Sequence, residues 1–210
     1  STIFNLLLRF LDPRSGRIVL DGRDISRVTL STLREQVSKL SQFPFFMKET
    51  IRENVRLGRH GASDVEVEEA CKLAHIHEVI TDPARIARGY DTVMDVQVPS
   101  GGQKRLIAMA RCLLRKPEVL LLDEPASGLD PRARVEIREI LKELMNMGKT
   151  ILISSHILSE LAELCTRIGI IERGEIKVQG PIDEVMGKLG RARAVVVAVE
   201  AVYRFDQIKN

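Results

Sequence analysis

A glycine-rich turn is one of two places in this sequence where the residue types are suited to chemistry. The turn is Ser100-Gly101-Gly102-Gln103, and the apolar residues after it recur at helical spacing. A turn of this kind at the start of a helix presents free backbone N–H groups and the positive end of the helix dipole, and both favour a phosphate. The sequence therefore predicts an anion-binding turn that opens a helix.

The second place is the acidic pair Asp123-Glu124, which follows the apolar run at residues 119–122. Because this run is short and continuous and comes after Pro117, we expect a strand buried on both faces. Open parallel sheets bind their ligands beyond the carboxyl ends of strands. We therefore expect Asp123 to hold Mg²⁺, directly or through water, and Glu124 to orient and deprotonate a water molecule.

Two further predicted strands end at polar residues. The strand at residues 37–41 stops before Gln42, and the strand at residues 150–154 comes just before His156. We also expect a strand at residues 16–22, a last strand at 195–199, helices at 3–11, 63–74, 131–147 and 157–165, and a hairpin at 167–178.

Two of these helices carry definite expectations about burial. The helix at residues 3–11 is apolar nearly all round, so it should be buried. The helix at residues 131–147 should end at Gly148 and turn these side chains inward: Val135, Ile140, Leu141, Leu144 and Met147.

Taken in order, these motifs resemble the ATP-binding cassette (ABC) ATPases. The matching elements are Ser-Gly-Gly-Gln at 100–103, Asp-Glu-Pro at 123–125, Ser-Gly-Leu-Asp at 127–130 and Ser-His at 155–156. The resemblance implies an α/β fold of the P-loop NTPase type, with a mostly parallel sheet and flanking helices. It also implies that residues 1–210 are one nucleotide-binding domain with an inserted helical subdomain at 58–115. The alternative is a generic doubly wound domain with a solvated acidic loop.

The resemblance implies a catalytic and a metal-binding set. Glu124 would act as the general base, and His156 would contact the γ-phosphate and hold Glu124 and the water in place. Gln42 would reach both Mg²⁺ and the attacking water. Mg²⁺ would be positioned by Ser1, Gln42 and Asp123.

The start of the chain fits the same family. The phosphate-binding pattern G-x-x-x-x-G-K followed by Ser or Thr ends at the start of an apolar helix, and Ser1 and Thr2 stand at such a start. We interpret Ser1 as the last residue of that motif, with Thr2 beside it in the ATP site, and expect the glycines and the lysine to lie outside this sequence. The chain as given is then expected to bind ATP poorly and to hydrolyse it hardly at all. The alternative is an ordinary serine N-cap.

The resemblance also implies a site shared between two copies of the domain. Residues of one copy would bind the ATP held by the other, with Asp130 at the seam: Ser100, Gly101, Gly102 and Gln103. Pro99 departs from the family, which usually has Leu there, and Met94-Asp95-Val96-Gln97 replaces the exporter-type Gly-Glu loop.

The two halves of the chain resemble different branches of the family. Residues 41–55 are similar to exporters, whereas residues from Pro117 onward are similar to importer-like and drug-resistance cassettes. A natural mosaic, a recombinant chain and an inferred ancestor would each give this pattern.

Composition limits the choice of partners. The 210 residues are 44% hydrophobic and 29% charged, which is typical of one globular domain. Aromatic residues make up 4% and the net charge of +3 is not gathered in one block, so we expect no nucleic-acid partner. Three scattered cysteines indicate reduced thiols. No apolar run is long enough to span a bilayer, so we expect any membrane role to run through a partner.

The partners implied by the resemblance are the transmembrane domains of an ABC transporter and a second nucleotide-binding domain, in a homo- or heterodimer at the cytoplasmic face of the membrane. Some of Phe43, Phe45 and Phe46 are interpreted as a contact for the membrane domain, with core packing as the alternative. Two other functions stay open at this point. One is a non-transport ABC ATPase that acts on nucleic acid or the ribosome, and the other is a non-catalytic regulatory cassette.

Overall fold

Strands and helices alternate along most of the chain. The computed structural model describes residues 2–94, 99–188 and 195–200. The helices are α1 (Thr2–Leu7), α2 (Leu30–Gln36), α3 (Ile51–Arg56), α4 (Asp64–Leu73), α5 (His77–Thr81), α6 (Gly101–Leu113), α7 (Pro131–Asn146), α8 (Leu158–Ala162) and α9 (Ile182–Lys188). The strands are β1 (Val19–Leu20), β2 (Arg23–Asp24), β3 (Val37–Leu40), β4 (Val119–Asp123), β5 (Thr150–Ser155), β6 (Arg167–Glu172), β7 (Glu175–Pro181) and β8 (Val195–Glu200).

The main sheet has the strand order β3-β4-β5-β8-β6-β7. Strands β3, β4 and β5 are parallel, whereas β8 pairs antiparallel with both β5 and β6, and β6 pairs antiparallel with β7. The predicted α/β class with flanking helices is confirmed. Parallel pairing is found among the three strands that lead to Gln42, Glu124 and His156.

The register of these parallel strands brings their carboxyl ends to one edge. Leu40 of β3 lies opposite Leu122 of β4, and Asp123 lies opposite Ser154 of β5. Because parallel strands end on the same side of a sheet, the residues that follow them leave from neighbouring points.

Strand β4 is buried on both faces, as its continuous apolar run predicts. Leu120 and Leu122 belong to the large core cluster beneath the helices that include α3, α4, α6 and α7. Val119 and Leu121 face the opposite way, into a smaller cluster with Phe4 of α1. A strand covered on both sides has no solvent-facing positions, which explains why it does not alternate with polar residues.

The first helix is shorter and less buried than predicted. Helix α1 ends at Leu7, and Arg9 then adopts a φ of 51°, which is incompatible with a continuing helix. The apolar residues of the segment 3–11 differ in burial: Phe4 and Leu8 are buried, whereas Ile3, Phe10 and Leu11 are exposed. The prediction of a fully buried helix over residues 3–11 is therefore wrong.

Helix α7 confirms the predicted long helix but corrects its inward face. Gly148 has a φ of 80°, which ends the helix at the predicted place. Ile140, Leu141 and Leu144 are buried as expected. Val135 and Met147 are exposed, so their inward assignment is wrong, and Ile137 is buried instead.

The remaining predicted elements differ mainly in length. The strand expected at residues 16–22 is only Val19–Leu20, and the helix expected at 157–165 is Leu158–Ala162. The hairpin at 167–178 is confirmed and runs on to Pro181, with positive φ at Arg173 and Gly174 in its turn. A last strand, β8, is present as predicted.

Helices α4 to α6 occupy much of the stretch assigned to the helical subdomain, whose bounds of 58–115 stay a prediction. Ser63 and Glu66 form the expected capping box at the start of α4. In the described ranges, none of the helices combines the length and apolar character needed to cross a bilayer.

Candidate active site

Three polar side chains lie just beyond the carboxyl ends of β4 and β5. Asp123 is the last residue of β4, Glu124 follows it, and His156 follows β5. Nδ1 of His156 lies 2.9 Å from Oε2 of Glu124, and the Ser154 hydroxyl donates a 2.7 Å hydrogen bond to Oδ1 of Asp123. The result is a carboxylate held by an imidazole, with a second carboxylate oriented beside it.

The backbone of Glu124 has an unusual conformation. Its φ is 50°, in the left-handed region, where a residue with a Cβ is uncommon and strained. Hydrogen bonds hold this geometry, since its N–H donates to the Ser154 carbonyl at 3.0 Å and its carbonyl accepts from Ser127 N–H at 3.1 Å. The side chain of Glu124 is 18% exposed, against 60% for its partner His156. The Glu124 carboxylate is thus sheltered, while the imidazole remains open to solvent.

Gln42 leaves the same edge of the sheet. It stands two residues after Leu40, the end of β3, and is half-buried. The structure thus brings Gln42, Asp123, Glu124 and His156 to neighbouring strand ends of one sheet. Ser1, the other expected metal-binding residue, lies outside the described residues, and Thr2 is the exposed first residue of α1.

Lys39 is a neighbour of Asp123 that the sequence analysis did not identify. Its Nζ lies 3.9 Å from Oδ2 of Asp123 and 3.5 Å from the side-chain oxygen of Asn5. The two charged side chains are only 17% and 15% exposed. No local sequence signal identifies this contact, because Lys39 and Asp123 lie far apart in the chain.

The donor atoms at this edge suit a hard cation. Asp123 offers a carboxylate and Gln42 an amide oxygen, the ligand types that Mg²⁺ prefers. In the described ranges, no group of three or more His, Cys, Asp or Glu side chains forms a complete metal cage. The carboxylate and amide oxygens fit Mg²⁺ by their chemistry, because this ion takes few protein ligands and shares its remaining positions with water and phosphate.

The predicted anion-binding turn is the start of helix α6. Ser100 is the N-cap: its Oγ accepts from the Gln103 N–H at 3.4 Å, and its own N–H donates to the Gln103 side chain at 2.8 Å. A Cβ added at Gly101 would meet nothing within 4 Å. Among the described residues, nothing therefore blocks the approach of a ligand to Gly101 in this turn. Residues 95–98, before the turn, lie outside the described residues.

Asp130 lies beside this turn rather than beside Glu124. It caps α7, accepting from the Ala133 N–H at 2.9 Å, and it lines a cleft of about 190 Å³ together with Ser100 and Gly102. The described residues that line this cleft do not include Glu124 or His156. The candidate residues therefore fall into two groups within one chain, one at the strand ends and one around the start of α6.

Arg105 is a second residue that the sequence analysis missed. It lies on α6 and is only 7% exposed. Its guanidinium donates to the carbonyl of Ser41, next to Gln42, at 3.0 Å and to the carbonyl of Ser127 at 3.4 Å. Burial lowers the pKa of Arg105, but a guanidinium stays charged at neutral pH.

The three phenylalanines after Gln42 divide between surface and core. Phe43 and Phe45 are 83% and 75% exposed, whereas Phe46 packs against the main cluster. The Arg111 guanidinium donates to the Phe45 carbonyl at 2.7 Å, and buried Asn54 holds the backbone of Met47. Two aromatic rings are therefore presented to solvent on a loop that is well anchored.

Comparison with known proteins places this geometry in a family. The model of the family described as ABC transporter matches residues 1–127. The chain belongs to the ABC transporter family. It is 41% identical over 193 residues to the uncharacterized ABC transporter ATP-binding protein YfiC of Bacillus subtilis, covering 90% of this chain and 31% of that protein. It is 38% identical over 191 residues to ABC transporter B family member 1 of Arabidopsis thaliana, covering 90% of this chain and 14% of that protein.

A solved structure gives the same result in three dimensions. A bacterial Atm1-family ABC exporter with ATP bound matches with a TM-score of 0.80 and 36% identity, covering 90% of this chain and 33% of that one. The chain thus spans a third or less of the length of these relatives. The family and the fold expected from the sequence are confirmed.

Proposed function

We propose that this chain is the nucleotide-binding domain of an ABC transporter and that it binds and hydrolyses ATP with Mg²⁺. The observation that carries the proposal is the 2.9 Å contact between Glu124 and His156, with Asp123 beside them at one sheet edge. A sheltered carboxylate that is oriented by an imidazole and adjoins a cation ligand is suited to activating water next to a phosphate.

Each residue at the strand ends has a proposed task. Glu124 orients the attacking water and accepts its proton, and general bases typically contribute about 10²–10⁴-fold. His156 fixes the Glu124 carboxylate through Nδ1 and is open enough on its other side to contact the γ-phosphate. Asp123 and Gln42, with Ser1, would hold Mg²⁺, which neutralises charge on the phosphate oxygens when it is bound.

The residues around the start of α6 are proposed to act on a second copy of the domain. Two copies would associate head to tail, so that Ser100, Gly101, Gly102 and Gln103 of one bind the γ-phosphate of ATP on the other. The open space at Gly101 supports this, because a backbone N–H without a Cβ beside it can be approached closely. Asp130, which lines the same cleft, would lie at the seam, and Thr2 would adjoin the phosphates bound by its own chain.

The proposed partner is the transmembrane part of an ABC transporter, at the cytoplasmic face of the membrane. Two strongly exposed phenylalanines, Phe43 and Phe45, support this because large aromatic rings on a surface loop often mark a protein contact. The relatives named as an exporter and as transporter family members point to the same kind of partner.

The test compares this chain with a version extended by an upstream strand and a Gly-x-x-x-x-Gly-Lys loop. We expect little ATP turnover by the 210 residues as given, and clear turnover by the extended chain. In the extended chain, Glu124→Gln should abolish turnover and retain ATP binding, because the amide keeps the shape but cannot accept the proton.

Two results would contradict the proposal. If the Glu124→Gln variant turns over ATP as fast as its parent, the assignment of the general base is wrong. If fluorescent ATP binds to the extended chain but the chain shows no ATP turnover, a regulatory cassette explains the protein better.

A further inference from the structure

We propose that Arg105 is a positioning residue that fixes two loops of the active site relative to helix α6. The first is the glutamine loop, residues 41–46, and the second is the acidic loop, residues 124–130. The proposal rests on the ATPase function proposed above, because it concerns the same site.

The contacts of Arg105 connect three separate parts of the chain. Its Nη1 donates to the carbonyl of Ser41 at 3.0 Å, and its Nη2 donates to the carbonyl of Ser127 at 3.4 Å. The residue itself lies in the second turn of α6, which begins just after Ser100. One planar group therefore joins the glutamine loop, the acidic loop and the helix of the anion-binding turn.

The burial of the Arg105 charge and the strength of its hydrogen bonds hold this connection in place. Arg105 is only 7% exposed, so moving its charge away from these carbonyls would leave it poorly solvated. Hydrogen bonds from a charged donor are roughly twice as strong as neutral ones. The fixed fork of a guanidinium also dictates the spacing of its acceptors, which a flexible ammonium cannot do.

A second arginine of α6 holds the far end of the glutamine loop. Nη1 of Arg111 donates to the carbonyl of Phe45 at 2.7 Å, and its Nε donates to the carbonyl of Asn54 at 2.8 Å. The loop that carries Gln42 is thus attached to α6 on both sides of that residue. Arg105 is the one of the two that also reaches the acidic loop.

The expected effect is on the rate of chemistry rather than on nucleotide affinity. Arg105 bonds to the backbone carbonyl of Ser41, which is next to Gln42, and to that of Ser127, whose N–H donates to the Glu124 carbonyl. A displacement of about 1 Å at a reacting group can cost about 10²-fold in rate. A purely structural arginine would instead lower the amount of folded protein and leave its kcat unchanged.

The first experiment uses the chain as it stands and measures amide hydrogen exchange. Arg105→Met keeps the length of the side chain and removes the guanidinium. We expect faster exchange in both the glutamine loop and the acidic loop. The matched control is Arg115→Met, because Arg115 also donates to backbone carbonyls, those of Arg34 and Gly58, away from the site.

The second experiment uses the version of the chain extended with the phosphate-binding loop. Arg105→Met should lower kcat by about 10- to 100-fold with KM for ATP changed by less than about twofold. Arg105→Lys should recover part of the loss, since one ammonium can bond to one of the two carbonyls. Arg115→Met should leave kcat near that of the parent.

The outcomes separate this inference from the proposed function. If exchange in the two loops is unchanged by Arg105→Met, or if only KM moves, Arg105 does not position them and the inference is overturned. If the extended chain shows no turnover that depends on Glu124, the ATPase proposal fails, while the exchange experiment still decides whether Arg105 joins the loops.

Discussion

At the scale of single residues, the candidate site combines a strained glutamate with a charge pair that the sequence analysis did not anticipate. Glu124 adopts a left-handed backbone conformation, and Lys39 lies 3.9 Å from the carboxylate of Asp123. By itself, the left-handed backbone of Glu124 lowers the stability of the fold, and the positive charge of Lys39 would weaken metal binding at Asp123. Residues that break local rules in this way are often found at functional sites.

The strain at Glu124 predicts a gain of stability when it is released. Glu124→Gly should raise the free energy of unfolding by about 1 kcal/mol, because relief of a left-handed φ, worth about 1–3 kcal/mol, exceeds the entropic cost of a glycine. Urea denaturation measures this. Glu124→Gln keeps the Cβ and should show no gain, and equal stability of the two variants would contradict the strain.

The neighbouring charge of Lys39 predicts a change in metal affinity. Lys39→Met removes a cation that lies close to Asp123, so the carboxylate should bind Mg²⁺ more tightly. For a largely buried pair we expect the Mg²⁺ concentration for half-maximal ATPase activity of the extended chain to fall by about 3- to 10-fold. Lys39→Arg retains the charge and is the control. A rise in the required Mg²⁺ would show that Lys39 assists the site instead.

At the scale of elements, the sequence predicts strands better than it predicts which face of a helix is buried. The run at residues 119–122 could be assigned because a strand covered on both sides is apolar at every position. Helix α7 was placed correctly, yet Val135 was assigned inward and is 47% exposed. The spacing of apolar residues predicts that a segment is helical. Which of two adjacent apolar stripes of that helix is covered depends on the neighbouring sheet and helices.

The same limit applies to the site. The acidic pair after an apolar run indicated Glu124, and the resemblance to the ABC family indicated Gln42 and His156, which follow two other predicted strands. The contacts of Lys39 and Arg105 depend on segments distant in the chain, so no local pattern could identify them.

The corrected face of α7 can be tested with a matched pair of substitutions. Ile137 is 2% exposed, so Ile137→Ala should lower the free energy of unfolding by about 2–5 kcal/mol. Val135→Ala lies on the same helix at an exposed position and should change it by less than about 0.5 kcal/mol. Chemical denaturation of both variants measures the difference. A larger loss at Val135 would restore the original assignment.

At the scale of the whole molecule, the candidate site residues and the exposed aromatic rings lie at separate places on the chain. The cleft beside Ser100 lies apart from Glu124, and the two exposed phenylalanines face solvent. The chain also covers a third or less of the relatives compared here. The domain is therefore best understood as one part of a larger assembly, whose membrane partner and dimeric state are proposals.

The buried thiols predict how stability of the whole fold depends on pH. Burial raises the pKa of Cys71 and of Cys112 to about 12, from an ordinary value near 9. The folded state then binds more protons than the unfolded state at alkaline pH. The two thiols therefore make their full contribution to the free energy of unfolding below pH 9, and this contribution is lost as the pH rises toward 12.

Denaturation at a series of pH values tests this, with the free energy of unfolding expected to fall above about pH 9. Replacing both cysteines by alanine should flatten the curve between pH 9 and 12, leaving the part due to Tyr90, whose pKa burial also raises. If the free energy of unfolding of the variant falls with pH as steeply as that of its parent, groups other than the two thiols dominate the pH dependence.

The position of β8 has a consequence for how the chain is made on the ribosome. Strands β5 and β6 are both bonded to β8, which is encoded after them and after β7 and α9. During synthesis from the amino terminus, β3-β4-β5 and β6-β7 can each form, but they cannot be joined in this order until residues 195–200 have emerged. The growing polypeptide must therefore carry two unjoined half-sheets, each with an open edge, from the completion of β7 until β8 has emerged.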